Sequence, residues 1–186
     1  MTGGSDLWLL RHGQTEWNLE GRIQGRLDSP LTPLGRQQAR RQAQILARLP
    51  AGIQAIASPS GRAQETARIA LGARPFRSDP RLQEIDTGAF TGQLMADLRR
   101  DHPGILAEGL GWYDRIPGGE DFAALEARAR GFLSELRAPA ILVTHGITLR
   151  MLRCVAMGLA PGELARMPVL QGAVHHLQGG RHRILF

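Results

Sequence analysis

Residues 7–13, LWLLRHG, are an apolar run that ends in an arginine, a histidine and a glycine, and residues 140–146, AILVTHG, repeat the pattern later in the chain. Each run has the length of a buried strand. In an open α/β sheet, ligands bind just beyond the carboxyl ends of the parallel strands. We therefore expect His12 and His145 to face each other across one small site. Arg11, beside the first histidine, makes an anion the expected ligand.

Helix-like and strand-like segments alternate along the chain. Thr32 and Pro33 predict a helix start, because a hydroxyl suits the N-cap and proline suits the first helical position. The apolar spacing carries that helix to Leu49. The alternation predicts an α/β fold, a three-layer α/β/α sandwich with a mostly parallel central sheet. The other predicted segments are strands at 53–57, 76–79 and 140–144, helices at 60–72, 91–100, 120–137, 147–157 and 161–165, loops at 13–31, 80–92 and 101–119, and a hairpin at 173–186 that turns at 179–180.

The length of the chain, 186 residues, suits one domain, and a hydrophobic content of 42% is enough for a core. The sequence contains no internal repeat and no convincing linker. We predict a single domain over residues 1–186, with residues 91–119 as a lid-like insertion over the site.

The charge pattern bears on the partner. The formal net charge is +6, and all 23 basic residues are arginine. These arginines are scattered, and the aromatic residues that could stack on bases make up only 5% of the chain. A small anionic substrate accounts for a positive field as well as a polynucleotide does. We expect a small anion as the partner, and no nucleic acid.

Apolar and cysteine patterns bear on location. No stretch approaches the roughly 20 apolar residues of a membrane helix, and residues 1–6 carry no positive charge of the kind that opens an export signal. The single cysteine, Cys154, cannot form an internal disulfide and is expected to be a buried small hydrophobe. We expect a cytoplasmic protein without membrane contact. The sequence does not decide whether the protein forms a homodimer.

The triplet Arg11, His12 and Gly13 has two readings. A neutral imidazole held by a neighbour can attack phosphorus, arginine matches phosphate oxygens, and glycine lets the backbone approach closely. An isolated triplet of this kind is more often a core histidine beside a surface arginine. The longer string around the triplet decides between these readings.

That string, LLRHGQTEWN at residues 9–18, resembles the signature of the histidine phosphatase superfamily, the phosphoglycerate mutase-like proteins. The resemblance continues in one order along nearly the whole chain and implies the fold of that family. The other blocks that carry it are GRIQG at 21–25, DSPLT at 28–32, SPSGRAQETA at 58–67, LQEIDTG at 82–88, PGGE at 117–120 and VTHG at 143–146.

The resemblance implies a role for each matching residue. His12 is the nucleophile that becomes phosphohistidine, and Glu84 is the acid that protonates the leaving oxygen and then the base that activates water. Phosphoryl transfer needs positioning and charge stabilisation above all. A nearby phosphate also favours the protonated form of a carboxylic acid. The implied phosphate pocket consists of Arg11, Arg62, His145, Asn18, Gln24, Gly25 and the Gly146 amide, although relatives often carry a small hydroxyl residue in place of Gln24.

Two of these assignments have rivals. Asp86 competes with Glu84 as the acid, and without the resemblance the two carboxylates are about equally good candidates. The other interpretation of Glu84 is a loop carboxylate that pairs with Arg81. The other interpretation of Arg62 is a solvated helix residue that pairs with Glu65 or Thr66. Its place in the first turn of a predicted helix, where backbone amides attract anions, favours the pocket.

Other histidines and aromatic residues have less specific readings. His175 and His176 are adjacent on a predicted strand, so they point to opposite faces and do not readily share a metal ion with His182. We therefore predict no metal site. Trp112 and Tyr113 have two equally supported interpretations: contact with the substrate, and packing of the insertion.

The resemblance implies a phosphohistidine intermediate, but it does not determine which molecule accepts the phosphoryl group from it. Attack by water makes a phosphatase, and attack by a hydroxyl of the bound product makes a mutase. Dedicated mutases of this family have a larger insertion with extra basic residues, where this chain offers Arg99, Arg100 and Arg115. A short lid favours hydrolysis, because it excludes water less well. We predict a metal-independent, cofactor-free phosphatase of a small phosphorylated metabolite; a cofactor-dependent phosphoglycerate mutase and a non-catalytic phosphate-ligand-binding module are the alternatives.

Overall fold

A computed structural model describes residues 6–106, 109–137 and 139–186. The strands are β1 (Leu7–Arg11), β2 (Gln54–Ala57), β3 (Arg77–Ser78), β4 (Ala140–Thr144), β5 (Val174–Gln178) and β6 (Arg181–Leu185). They form one sheet in the order β3-β2-β4-β1-β5-β6. The first four strands in this order are parallel, whereas β5 and β6 are each antiparallel to their neighbour. The predicted mostly parallel sheet is confirmed.

Helices cover both faces of the sheet. The α-helices are α1 (Glu16–Glu20), α2 (Pro33–Leu46), α3 (Gly61–Leu71), α4 (Met95–Asp101), α5 (Pro103–Leu106), α6 (Phe122–Glu135) and α7 (Gly146–Met157). On one face, α2 and α3 pack on Leu10 and Val143, and on the other face α6 and α7 pack on Leu9 and Leu142. The alternation of side chains along β1 and β4 thus produces the predicted three layers. None of the described helices is both long and apolar enough to cross a membrane.

The start of α2 follows its predicted capping chemistry. The Thr32 side chain accepts a hydrogen bond from the Gly35 amide, and Pro33 occupies the first turn. The helix ends at Leu46, and the chain turns before Leu49, so the predicted end was three residues late. The run of apolar side chains continues into the turn, which explains the longer prediction.

The predicted loop at 13–31 contains the short helix α1. Thr15 caps it, since its side chain accepts from the Asn18 amide while the Asn18 side chain accepts from the Thr15 amide. This reciprocal pair satisfies donors at a helix start. A helix of five residues is too short to show an apolar period, so the loop prediction was wrong here.

Residues 91–119 form more helix than predicted, although residues 107 and 108 of this segment lie outside the described residues. The helix expected at 91–100 begins only at Met95. Residues 88–90 form a 3-10 turn, and residues 91–94 connect this turn to α4. Helix α5 and a 3-10 turn at Gly111–Arg115 lie where a loop was expected. The segment contributes Leu98, Trp112 and Ile116 to an apolar cluster that also contains Ile23 and Phe90.

Smaller elements deviate by turn type or by a residue or two. The helix predicted at 161–165 is a 3-10 turn, Pro161–Arg166, and the predicted loop at 80–92 contains 3-10 turns at Pro80–Leu82 and Gly88–Phe90. The predicted hairpin is present, and both Gly179 and Gly180 have the positive φ that its turn requires.

Neighbouring histidines of β5 do face opposite sides of the sheet. His176 stacks on Trp8, with the ring centroids 4.8 Å apart. On the other side, Arg153 of α7 is fully buried, and its Nη1 lies 3.1 Å from both His175 Nδ1 and His182 Nε2. A guanidinium only donates, so the ring nitrogens that face it are unprotonated acceptors.

Acid should therefore weaken the packing of this hairpin. Burial and Arg153 lower the pKa of His182 to about 4, and burial with the same arginine lowers that of His175 to about 3. Above about pH 6.5 both rings are neutral in the folded and unfolded chain. As the pH falls below that value, the unfolded chain binds protons first, so stability falls until the folded pKa is reached. In thermal melts between about pH 7.5 and 4, His182→Gln should lose less stability than the wild type; equal pH slopes would contradict this role.

Candidate active site

The two predicted histidines meet at the carboxyl edge of the sheet. Strand β1 pairs in parallel with β4, with Arg11 opposite Thr144, so the next residue of each strand leaves the sheet at the same level. The ring centroids of His12 and His145 are 5.1 Å apart, and both side chains are buried. The His12 amide donates to the Thr144 carbonyl at 2.9 Å, which fixes the two loops to each other.

The tautomer of His12 follows from one hydrogen bond. Its Nδ1 lies 2.8 Å from the Gly13 carbonyl oxygen. A carbonyl only accepts, so Nδ1 carries the hydrogen and Nε2 keeps its lone pair. Burial, together with the positive charges of Arg62 and Arg11, lowers the pKa of His12 well below its usual value. The ring is therefore neutral and has a fixed orientation, and its Nε2 lone pair can act as an acceptor or a nucleophile.

Close backbone packing holds the loop that carries His12. A Cβ atom on Gly13 would lie 2.2 Å from the Gly35 carbonyl oxygen, and one on Gly35 would lie 2.1 Å from the Gln14 carbonyl oxygen. Neither position has room for a side chain. The Gly13 amide also donates to Thr66 Oγ1 of α3 at 3.1 Å. Helices α2 and α3 thus fix the loop directly beyond β1.

Arg62 lies in the first turn of α3, and only 2% of it is exposed. Its Nη1 donates to the Leu27 carbonyl at 2.6 Å and pairs with Asp28 at 3.1 Å, while Nη2 donates to the Gly25 carbonyl at 2.8 Å. Its buried Nε has no partner. The predicted pairing with Glu65 is wrong, because Glu65 binds Arg36 instead. The Nη1 and Nη2 groups of Arg62 thus bind the loop at 25–28, and Nε remains as a donor for a ligand.

Gly25 lets this loop approach the segment at 82–88 closely. Its φ is +51°, and a Cβ atom there would lie 2.2 Å from Thr87 Oγ1. A side chain would meet both strain and a clash. In this structure, the carbonyl of Gly25 positions Arg62.

Arg11 lies at the end of β1, with Nη1 donating to the Val169 carbonyl at 3.2 Å. Its Nε is buried and has no partner. Burial lowers the pKa of Arg11, while the charge of Glu84 acts in the opposite direction. Two guanidinium groups with an unpaired Nε–H therefore line one cavity, an arrangement that favours an anion with several oxygens.

Ser58 governs the second histidine. His145 Nε2 lies 2.8 Å from Ser58 Oγ, while His145 Nδ1 is buried without a partner. Burial, with the nearby Arg62, lowers the pKa of His145 well below its usual value. If the serine hydroxyl donates to Nε2, the neutral ring carries its hydrogen on Nδ1, where it can serve a ligand.

The structure separates Glu84 from its rival Asp86. Glu84 lines the cavity, and its carboxylate accepts from the Ile147 and Thr148 amides at 3.1 and 3.0 Å, at the start of α7. Asp86 lies outside the cavity lining, where it pairs with Arg26 at 3.5 Å. Arg81, the other candidate partner of Glu84, binds Asp79 and Glu135 instead.

Asn18 and Gln24 both line the cavity, but they differ in what they can offer a phosphate. Asn18 Oδ1 accepts from the Thr15 amide, which leaves its NH₂ as a donor. The Gln24 NH₂ donates to Thr15 Oγ1 at 2.7 Å, and its buried Oε1 has no partner. In this orientation Gln24 offers an acceptor, so contact with phosphate needs the amide reversed. The Thr15 hydroxyl could then donate to Oε1.

The cavity between these groups has a volume of about 280 Å³. Tyr113 lines the cavity, where it can contact a ligand, whereas Trp112 packs with Phe90 in an apolar cluster. Burial, reinforced by the charge of Glu84, raises the pKa of the Tyr113 phenol. The lining residues are Arg11, His12, Asn18, Gly21, Arg22, Ile23, Gln24, Gly25, Arg62, Glu84, Thr87, Met95 and Tyr113.

A larger cavity of about 530 Å³ lies at the opposite, amino edge of the parallel strands, beside Trp8 and Ile53. Its lining includes neither arginine nor histidine. Among the residues that the structure describes, no three histidine, cysteine or acidic side chains are grouped to hold a metal ion. Of these two cavities in the described part of the chain, the one at the carboxyl edge is therefore the one lined by arginine and histidine side chains.

Sequence reasoning missed the residues that hold these groups. Ser58 opens the quoted block at 58–67 but had no assigned role, and Thr148 lies two residues after the block at 143–146; they bind His145 and Glu84. Gln171 also contacts the site, and no motif pointed to it. Only tertiary contacts reveal such residues.

Comparison with known proteins agrees with this geometry. The chain is 41% identical over 164 residues to a protein named probable phosphoglycerate mutase GpmB from Enterobacter sp. (strain 638), a match that covers 82% of this chain and 75% of the relative. Its fold matches the crystal structure of the alpha-ribazole phosphatase from Shigella flexneri, with a TM-score of 0.83 and 26% identity, over 97% of this chain and 95% of the other. It also matches YhfR of Bacillus stearothermophilus, with a TM-score of 0.81 and 31% identity, over 96% and 94% of the two chains.

The sequence profile of branch 1 of the histidine phosphatase superfamily matches residues 7–185. That range includes every residue of the cavity lining. The predicted resemblance is confirmed: this chain belongs to the histidine phosphatase superfamily.

Proposed function

We propose that this protein is a metal-independent phosphatase that hydrolyses a small phosphomonoester through a phosphohistidine on His12. The observation that carries the proposal is the hydrogen bond from His12 Nδ1 to the Gly13 carbonyl, which leaves a neutral Nε2 in a cavity lined by Arg11 and Arg62. A binding module needs neither a fixed nucleophile nor an adjacent acid, so Glu84 beside His12 also supports an enzyme.

The first half-reaction transfers the phosphoryl group to the protein. Arg11 and Arg62 bind the phosphate oxygens, and the Asn18 NH₂ and Gly146 amide add donors. The lone pair of His12 Nε2 attacks phosphorus as the phosphorus–oxygen bond to the alcohol breaks. The departing alkoxide oxygen takes its proton from the Glu84 carboxylic acid, so a neutral alcohol leaves.

The second half-reaction regenerates the enzyme. Glu84, now a carboxylate, removes a proton from water as the water oxygen attacks phosphorus. The phosphorus–nitrogen bond breaks and returns the electron pair to His12 Nε2. Inorganic phosphate is released, and Glu84 is again protonated for the next substrate.

The two oxygens of Glu84 have unequal surroundings. The Thr148 hydroxyl donates to the Gln83 carbonyl at 2.7 Å and lies 3.1 Å from Oε1. Oε1 accepts from the Ile85 and Thr148 amides, whereas Oε2 accepts only from the Ile147 amide among the described contacts. Oε2 therefore has the free lone pair, and the mechanism assigns it the catalytic proton. A Cβ atom on Gly146 would lie 3.6 Å from Oε2, within contact distance.

The composition of the insertion supports hydrolysis. Its arginines, Arg99, Arg100 and Arg115, are absent from the cavity lining, to which it contributes Met95 and Tyr113. Arg100 pairs with Asp97 and Asp101 on the surface. The insertion thus brings no guanidinium to hold the carboxylate of a phosphoglycerate.

The mutase remains the second candidate, since a relative 41% identical to this chain is named a probable phosphoglycerate mutase. Phosphorus NMR on purified protein, with a panel of small phosphomonoesters, separates the candidates. The panel includes 3-phosphoglycerate primed with a trace of 2,3-bisphosphoglycerate. Release of inorganic phosphate supports the phosphatase. Appearance of 2-phosphoglycerate without inorganic phosphate overturns it, and silence across the panel favours a binding module.

EDTA should leave the hydrolysis rate unchanged. The positive charge that balances the phosphate dianion comes from Arg11 and Arg62, which are covalent parts of the chain. Rates measured after dialysis against EDTA, with and without added Mg²⁺, test this. A loss that Mg²⁺ restores would contradict metal independence.

The proposed location is the cytoplasm. Cys154, the single cysteine of the chain, is free and buried, which supports a protein that needs no oxidising compartment.

A further inference from the structure

Residues 167–171, here called the strap, lie in the connection between α7 and β5, directly after the 3-10 turn Pro161–Arg166. Three successive carbonyls of the strap each accept from a different arginine. Arg150 Nε donates to the Met167 carbonyl at 2.9 Å, Arg153 Nη2 donates to the Pro168 carbonyl at 2.5 Å, and Arg11 Nη1 donates to the Val169 carbonyl at 3.2 Å. These bonds hold the backbone of the strap beside the catalytic loop.

Gln171, the last residue of the strap, extends its side chain to that loop. Its NH₂ donates to the His12 carbonyl at 3.2 Å and to Asn18 Oδ1 at 3.1 Å. Because a backbone carbonyl only accepts, the contact with His12 determines which end of the Gln171 amide faces the loop.

The orientation of the Asn18 amide follows from the same chain of bonds. Asn18 Oδ1 accepts from the Gln171 NH₂ and from the Thr15 amide at 3.2 Å. Both partners are donors, so both directions available to the oxygen are used. The Asn18 NH₂ is left as the group that can bind an anion in the cavity. A reversed amide would place donors against donors, at a cost of the order of an unmade hydrogen bond.

We propose that Gln171 is a positioning residue that sets the Asn18 amide so that its NH₂ donates to the transferring phosphoryl group. Gln171 does not line the cavity, and it acts through Asn18 and through the backbone of His12. The inference rests on the proposed function in one respect, that the anion in the cavity is a phosphoryl group.

The test compares Gln171→Glu with Gln171→Met and with the neighbour Leu170→Ala, whose side chain is exposed. An ionised carboxylate at position 171 cannot donate, so the Asn18 amide should reverse and present its oxygen to the anion. We expect Gln171→Glu to lose roughly 30-fold in affinity for inorganic phosphate, as when a hydrogen bond to a charged group is lost. Gln171→Met should lose about fivefold, because the Thr15 amide still guides Asn18. Leu170→Ala should match the wild type.

A double-mutant cycle with Asn18→Ala shows the route of the effect. If Gln171 acts through Asn18, the Gln171→Glu change should cost less than about threefold in the Asn18→Ala background. Direct repulsion of phosphate by the new carboxylate would persist there in full and would overturn the proposal. Unchanged phosphate affinity in Gln171→Glu would overturn it as well.

The pH dependence of phosphate affinity distinguishes a positioning role of Gln171 from a merely structural one. The loss in Gln171→Glu, taken as a ratio to the wild type at each pH, should shrink as acid protonates the new carboxyl, which can then donate. A glutamic acid ordinarily has a pKa of about 4.3, so a ratio that stays constant from about pH 7 to about pH 4 would overturn the proposal. Phosphate binding is measured without turnover, so a wild type that binds phosphate but hydrolyses no substrate would refute the phosphatase and leave this test intact.

Discussion

The His12→Ala variant should lose nearly all turnover while keeping its fold. Removal of the nucleophile leaves no side chain to accept the phosphoryl group, so kcat/KM should fall by at least about 10⁴-fold, the scale seen when one member of a catalytic unit is removed. The stability cost should be modest, about 1–2 kcal/mol, since Arg11 and Arg62 keep their carbonyl partners. Phosphate release measures the turnover, and thermal melting measures the fold.

His102→Ala is the matched control. His102 is an exposed histidine that follows α4 and contacts the ring of Phe90, and it is absent from the cavity lining. This variant should retain the rate of the wild type. If His12→Ala still hydrolysed the same substrate at a comparable rate, the assigned nucleophile would be wrong.

Glu84→Gln should slow the enzyme in a way that depends on the leaving group. An amide cannot give a proton to the departing oxygen, so alkyl phosphates should lose about 10²- to 10³-fold in kcat/KM, which reports the first half-reaction and not the later hydrolysis of the phosphohistidine. An activated aryl phosphate such as 4-nitrophenyl phosphate needs little protonation, so cleavage of its ester should slow far less. The fold should persist, because the Gln oxygen can still accept from the Ile85 and Thr148 amides that bind Oε1.

Asp86→Asn is the control for this variant. Asp86 pairs with Arg26 outside the cavity, so its substitution should leave the leaving-group dependence unchanged. Equal slowing of alkyl and aryl phosphates in Glu84→Gln would move the role of the acid to another residue. A selective loss in Asp86→Asn would identify that residue as Asp86.

The meeting of the two histidines could be predicted because it depends on local rules. An apolar run of strand length sets β1 and β4, and parallel strands bring their carboxyl ends to one edge. His12 and His145 each follow such a run directly. Their proximity therefore needed no knowledge of the loops.

The short helices could not be predicted in the same way. Helix α1 spans five residues and α5 spans four, so neither shows a period of apolar side chains. The shape of this region depends on an apolar cluster that includes both Ile23 and Trp112, residues that are far apart in the chain. Tertiary packing overrides local preference in such segments.

The choice between Glu84 and Asp86 also required the fold. Both carboxylates lie in one short loop, and local sequence does not distinguish them. The amides of Ile147 and Thr148 bind one, and Arg26 binds the other. Gln171 is a stronger example, since it binds the His12 carbonyl across 159 residues of sequence.

The close contact between Gly13 and Gly35 divides the protein into parts that can change at different rates during evolution. A side chain at either glycine would collide with backbone, so the loop of the nucleophile has almost no freedom to vary. The insertion, by contrast, packs on an apolar cluster that it shares with Ile23 and Phe90. New leaving groups can therefore be acquired by changes around Met95 and Tyr113 while the phosphoryl chemistry stays in place, which makes this scaffold well suited to the gain of new substrates.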